Sequence, residues 1–131
     1  MIVEGRLVDL EFGPRWGQIE ILDGTITRLG DLGLKPDLKL GHEQLVFPGF
    51  VDVHTHLRQG DEYKEDFHTA TQAALNGGVT CLLDMPNNPI PPVTKDMLAG
   101  KEAAVADLPV DIGFYLGLGP NTRPSGHPHY K

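Results

Sequence analysis

The sequence has a single cysteine, Cys81, so no disulfide can form within the chain. That fits a reducing cytoplasm. Basic residues are also in short supply: 11 lysines and arginines stand against 18 aspartates and glutamates, for a formal net charge of -7, and no basic run occurs. Binding to nucleic acid through a charged surface is therefore not expected. No apolar run reaches the roughly 18 residues of a membrane span. The N-terminus carries Glu4 and Arg6 early and has no signal-peptide core. There is no internal repeat and no low-complexity tract. What is there, 131 residues of which 40% are hydrophobic and 22% charged, has the balance of one globular domain.

Two kinds of pattern follow one another along the chain. Residues 1–30 read as short strands: 2–8, then 17–22 and 25–29 as a hairpin around Asp23-Gly24, a strong two-residue turn signal. Ile19 and Ile21 fall on one face of that hairpin and Gln18 and Glu20 on the other, which predicts a small sheet with one wet face. Residues 38–46 add a further short strand. From residue 48 the pattern alternates. A strand is followed by a helix at 65–75 that Gly77-Gly78 stops. A strand at 79–84 leads to a helix at 94–106 with Thr94 as N-cap, and then to a strand at 110–116. Strand, helix, strand, helix, strand in close succession predicts βαβ units on a parallel sheet. Residues 117–131, rich in Gly and Pro, read as loop.

The chain is organised around Phe47-Pro48-Gly49-Phe50-Val51-Asp52-Val53-His54-Thr55-His56-Leu57-Arg58. A Pro-Gly turn leads into an apolar, β-branched segment that reads as a buried strand. Alternation puts Asp52, His54, His56 and Arg58 on one face if the strand stays regular that far, with Val51, Val53, Thr55 and Leu57 on the other. Two imidazoles two strand positions apart can grip one metal ion through their ring nitrogens. A surface pair of histidines is the plainer alternative, but four polar side chains on so apolar a segment are costly to bury without partners.

This stretch resembles the first barrel strand of the amidohydrolase superfamily, whose D-x-H-x-H supplies two metal ligands; with Arg58 following as H-L-R it resembles the dihydroorotase branch. The resemblance runs from about Ile19 onward and is most specific between Phe47 and Pro92. It implies an α/β fold: the first part of a (β/α)8 barrel, at 48–131, preceded by the N-terminal strands of a small β-sandwich, at 1–47. A complete barrel needs about 250 residues, so the barrel would be incomplete within these 131.

The resemblance further implies that His54 and His56 bind zinc, one ion or two. It makes Arg58 the anchor for the carboxylate of a small anionic substrate, since guanidinium pairs with carboxylate through two parallel hydrogen bonds. Asn87, in the proline-heavy loop Met85-Pro86-Asn87-Asn88-Pro89, matches the asparagine that helps hold the same carboxylate. Asn88 departs from the commoner threonine. Lys131 is carried over as the lysine whose carbamate bridges two metals. The catalytic aspartate and the remaining ligands would lie downstream. The implied activity is hydrolysis of dihydroorotate to N-carbamoyl-L-aspartate, or the reverse condensation, in pyrimidine biosynthesis in the cytoplasm. Association as a homodimer or with other enzymes of that pathway is part of the expectation. The alternatives are a hydantoinase- or allantoinase-type enzyme and a non-catalytic dihydroorotase-like subunit.

Asp52 stays open between orienting His54 and accepting backbone donors. Glu65 and Asp66 suit a helix N-terminus by dipole alone. His127 and His129 read as exposed, and His42 and His68 as ordinary surface or helix positions.

Overall fold

The structure, a computed structural model, describes residues 1–9, 11 and 13–119. Lys131, His127 and His129 lie outside the described residues, as does most of the loop expected at 117–131. The chain divides into two compact units, Met1–Pro48 and Gly49–Lys131.

The first unit is a five-stranded sheet built from β1 (Ile2–Asp9), β2 (Gly13–Leu22), β3 (Thr25–Gly30), β4 (Leu38–Lys39) and β5 (Leu45–Val46). β2 pairs antiparallel with β1 and with β3; the two short strands β4 and β5 both run parallel to β1. Asp23 and Gly24 turn the β2–β3 hairpin with φ of 48° and 75°. Two left-handed residues in succession match the right-handed twist of the flanking strands, which is why Asp-Gly works there. The single strand expected over 38–46 is two pieces, separated by a turn at Gly41 to Gln44 whose backbone closes on the Gln44 side chain.

The sheet's wet face departs from simple alternation. Gln18, expected to be exposed, is 5% exposed. Its amide nitrogen donates to Glu4 Oε2 and to the Leu34 carbonyl, each at 2.8 Å, and its amide oxygen accepts the Leu34 N–H at 3.0 Å. A polar side chain so well partnered can be buried at little cost. Glu20 is also largely covered, its side chain 13% exposed beneath its partners. Arg28 grips it through Nε at 2.8 Å and the Thr27 hydroxyl donates to it at 2.7 Å. The Arg28 bond first, then the Thr27 bond, pull its carboxyl from the usual 4.5 to about 2.

The second unit is a parallel βαβαβ run. β6 (Phe50–Thr55), β7 (Val79–Asp84) and β8 (Asp111–Phe114) form a sheet in that order, connected by α1 (Phe67–Asn76) and α2 (Lys95–Val105). Gly49 lets β6 start against β7: a Cβ there would lie 2.6 Å from Thr80 Cγ2 and 2.8 Å from Thr80 Cβ. α1 begins with a capping box in which Asp66 accepts the Thr69 N–H at 2.8 Å, so Asp66 is the cap itself, and that backbone bond is the main cause of its lowered carboxyl pKa. The helix ends at Gly77, and Gly78 takes the left-handed conformation that releases the chain into β7, φ 77°. Thr94 caps α2 by accepting the Met97 N–H.

Leu57, Leu82 and Val110 form the buried core of this unit, with Phe67, Ala70, Ala74, Val79 and Ile112 packed against them. β6 is not the buried strand that its sequence predicts. Phe50, Val51 and Val53 are 51%, 59% and 58% exposed. β6 lies at an edge of the sheet.

Candidate metal and substrate site

The C-terminal ends of the three parallel strands gather the polar residues of the second unit. Here the chain is tied crosswise. The Thr55 hydroxyl donates to the Leu83 carbonyl at 3.0 Å, Met85 N–H donates to the Thr55 carbonyl at 2.9 Å, and Tyr115 N–H donates to the Asp84 carbonyl at 3.0 Å. Open α/β sheets and barrels build their sites from the loops that follow such strand ends.

His54 lies on β6 and His56 one residue past its end. Their ring centroids are 5.3 Å apart and the rings cross at 73°. His56 Nδ1 lies 2.7 Å from Asn87 Oδ1. A carboxamide oxygen only accepts, so Nδ1 of His56 carries the proton of that bond. In the neutral ring this leaves Nε2 with a free lone pair, the tautomer in which an imidazole binds a metal through Nε2. Asn87 therefore touches a histidine directly, which its position in the sequence did not disclose. Its Nδ2 donors remain for another acceptor.

Asp52 accepts the backbone N–H of His54 at 3.0 Å. Of the two roles open to it, the structure records the backbone contact. The expected alternation from Asp52 through Arg58 does not persist. The strand stops at Thr55, and Arg58 has φ 62°. A non-glycine residue in this region is under strain, and such residues concentrate where function fixes the backbone. The Arg58 carbonyl accepts the Asp61 N–H at 2.7 Å. Its half-buried guanidinium makes no hydrogen bond or ion pair with any described residue.

Two imidazoles suit zinc by donor type. They do not complete a site, because among the described residues no three His, Cys, Asp or Glu side chains come together in a group that could hold an ion. Further donors would have to come from elsewhere, and Lys131 lies outside the described residues. An open cleft of about 550 Å³, lined by Gln59, Pro89, Ile90, Met97 and Lys101 among others, lies beside this chemistry: none of His54, His56, Arg58 and Asn87 lines it.

Two buried, paired residues at this end of the sheet are absent from the expectations above. Asp84, at the end of β7, accepts the Leu57 N–H at 2.8 Å, and Lys101 of α2 donates to its second oxygen at 2.8 Å. The parity of β7 carried a signal. Asp84 falls on the same side as the core residue Leu82, and Lys101 lies one helical turn before the buried Val105. Among the described residues one buried polar atom, Asn88 Nδ2, has no partner.

Residues 45–129 match the Amidohydrolase family. The chain is 44% identical over 89 residues to an allantoinase from Saccharomyces cerevisiae, covering 66% of this chain and 19% of that protein. It is 38% identical over 104 residues to a dihydroorotase from Pyrococcus abyssi, covering 77% of this chain and 24% of that protein. Among solved structures, the L-hydantoinase (dihydropyrimidinase) of Arthrobacter aurescens superposes with a TM-score of 0.78 at 27% identity, over 92% of this chain and 28% of that one. The fold is thus α/β, the first part of a (β/α)8 barrel preceded by the N-terminal strands of a small β-sandwich. The chain spans about a fifth to a quarter of the length of the curated relatives it matches.

Proposed function

The chain belongs to the amidohydrolase family, and on that premise we propose that it is part of a zinc-dependent hydrolase of cyclic amides, a dihydroorotase interconverting dihydroorotate and N-carbamoyl-L-aspartate in pyrimidine biosynthesis. The proposed division is a sandwich segment at 1–47 and the opening βαβαβ of the barrel at 48–131. His54 and His56 would hold the metal, with Lys131 as a carboxylated third donor and the rest supplied from outside the described residues. When bound, zinc supplies Lewis acidity and lowers the pKa of water.

The chain's own residues bind and orient. Arg58 offers a planar fork of donors to the substrate's carboxylate. Asn87 uses its oxygen to keep the His56 ring in one orientation and has its Nδ2 donors left for the same carboxylate. The observation that carries the choice is the Arg58 guanidinium, half-buried and without a described partner two residues from His56. Dihydroorotate bears a carboxylate on its ring; allantoin and hydantoin do not. A cationic fork without a described partner, two residues past His56, supports the first case over the others. The free Cys81 suits a reducing cytoplasm.

A second reading, an allantoinase, is favoured by the 44% identity to the yeast protein. The protein at its natural full length, assayed against dihydroorotate, allantoin and hydantoin with zinc present, separates the two. Turnover of dihydroorotate whose KM Arg58→Met raises roughly ten- to a hundredfold is the expected result. Turnover of allantoin alone, indifferent to Arg58→Met, would overturn the dihydroorotase assignment.

A further inference from the structure

Asp84 and Lys101 have no part in the chemistry proposed above, yet both are buried: their side chains are 0% and 6% exposed. One oxygen of Asp84 takes the Lys101 ammonium and the other takes the Leu57 N–H, each at 2.8 Å. The ammonium also lies 4.9 Å from the centre of the Phe114 ring at the end of β8. Removing two charges from water is expensive, and well-packed apolar residues of similar volume often stabilise as well or better. The pair is therefore better explained by the geometry it fixes than by stability.

What it fixes is the way β6 ends. The strand stops at Thr55, so the Leu57 N–H has no strand partner, and Asp84 accepts it. The Leu57 side chain is anchored in the core as well, at 3% exposure. At the next residue the chain turns left-handed, with Arg58 at φ 62° and its carbonyl held by Asp61 N–H. The peptide that launches Arg58 is thus held on both sides.

We propose that Asp84 and Lys101 are positioning residues that hold the Leu57–Arg58 peptide so that the Arg58 guanidinium meets the substrate's carboxylate. The proposal rests on the role given to Arg58 above. It requires that losing the pair weaken recognition of the carboxylate and leave recognition of the ring alone.

Two inert probes separate these: orotate, a cyclic amide with a ring carboxylate, and uracil, the same ring without it. Their dissociation constants are measured by calorimetry on the full-length zinc-loaded protein. The variant Asp84→Leu with Lys101→Met removes both charges together and so avoids stranding either one. It is expected to weaken orotate about tenfold or more while uracil binding stays put, and to add nothing further in an Arg58→Met background, as coupled residues do. Equal weakening of both probes, no weakening of orotate, or a full additional loss on top of Arg58→Met would overturn the proposal. If Arg58→Met alone leaves orotate binding unchanged, Arg58 is not the anchor, and the failure is one of the functional assignment itself. Should the paired variant not fold, hydrogen exchange on the unmodified protein still decides. The Leu57 amide is expected to exchange as slowly as those of β7, and exchange as fast as in open loops would refute the contact.

Discussion

Replacing Arg58 by glycine pulls stability and binding in opposite directions, and the size of each can be worked out. Arg58 has φ 62°, where an L-residue other than glycine sits at a cost of about 1–2 kcal/mol. Glycine removes that cost but loses roughly 0.5–1 kcal/mol through its more flexible unfolded chain. The guanidinium makes no hydrogen bond or ion pair with a described residue whose loss would add to that cost. Arg58→Gly is therefore expected to leave the protein as stable or up to about 1.5 kcal/mol more stable. The same change removes charge-assisted hydrogen bonds to the substrate's carboxylate, worth about 1.5–3 kcal/mol, so KM for dihydroorotate should rise roughly ten- to a hundredfold. Arg58→Asn, a residue that tolerates the left-handed region, should show the loss of binding with little change in stability. Urea unfolding of the full-length protein and steady-state kinetics on the same preparations test both halves. Destabilisation by more than about 1 kcal/mol in Arg58→Gly would show that the side chain has a structural job, and the inference from its lack of partners would fail.

Gly49→Ala should destabilise by about 1–3 kcal/mol, because the added Cβ meets Thr80 Cβ, which no rotamer change can move; thermal unfolding within error of the parent would refute this. Glu20 is pulled to about 2, first by Arg28 and then by Thr27. Its folded pKa lies below its unfolded one, so its contribution is complete above 4.5 and is lost as the pH falls towards 2. Urea midpoints measured down that range should fall more steeply for the parent than for Glu20→Gln, and parallel curves would contradict the contact. The 131 residues alone, with two described imidazole donors, should bind zinc weakly and leave dihydroorotate intact; hydrolysis by them would mean that the donor set is complete without anything further.

The features legible in the sequence are those decided within a few residues. Asp23-Gly24 forces a left-handed pair wherever it sits, Thr94 caps the helix that follows it, and Gly78 can release a chain from a helix end because it has no Cβ to clash. The two histidines at the end of one short strand were legible for the same reason. Period two places them, and nothing distant is needed to bring them together. The order of β6, β7 and β8 followed from alternation of elements, since a parallel pair requires a crossover.

What was not legible depends on partners far along the chain. Gln18 is polar by composition and buried by virtue of Leu34, sixteen residues on. Arg58 breaks the alternation that its own neighbours predict, next to a Leu57 amide that Asp84 holds across 27 residues of sequence. Asp84 and Lys101 fall in a strand and a helix that the sequence predicts separately, and it says nothing of a contact between them. Only the fold makes them a pair, and no local rule assigns a buried charge without its partner. In each of these cases the local pattern is overruled at a point where a polar group is held by another polar group. In the second unit those points are not scattered. Arg58, Asp84 and the Asn87–His56 contact all fall at the C-terminal ends of β6 and β7 and in the loops that follow. Sequences break local rules where function demands it and compensate elsewhere. The crowding of such departures at one end of the parallel sheet is therefore an argument for the site that does not depend on either histidine binding a metal.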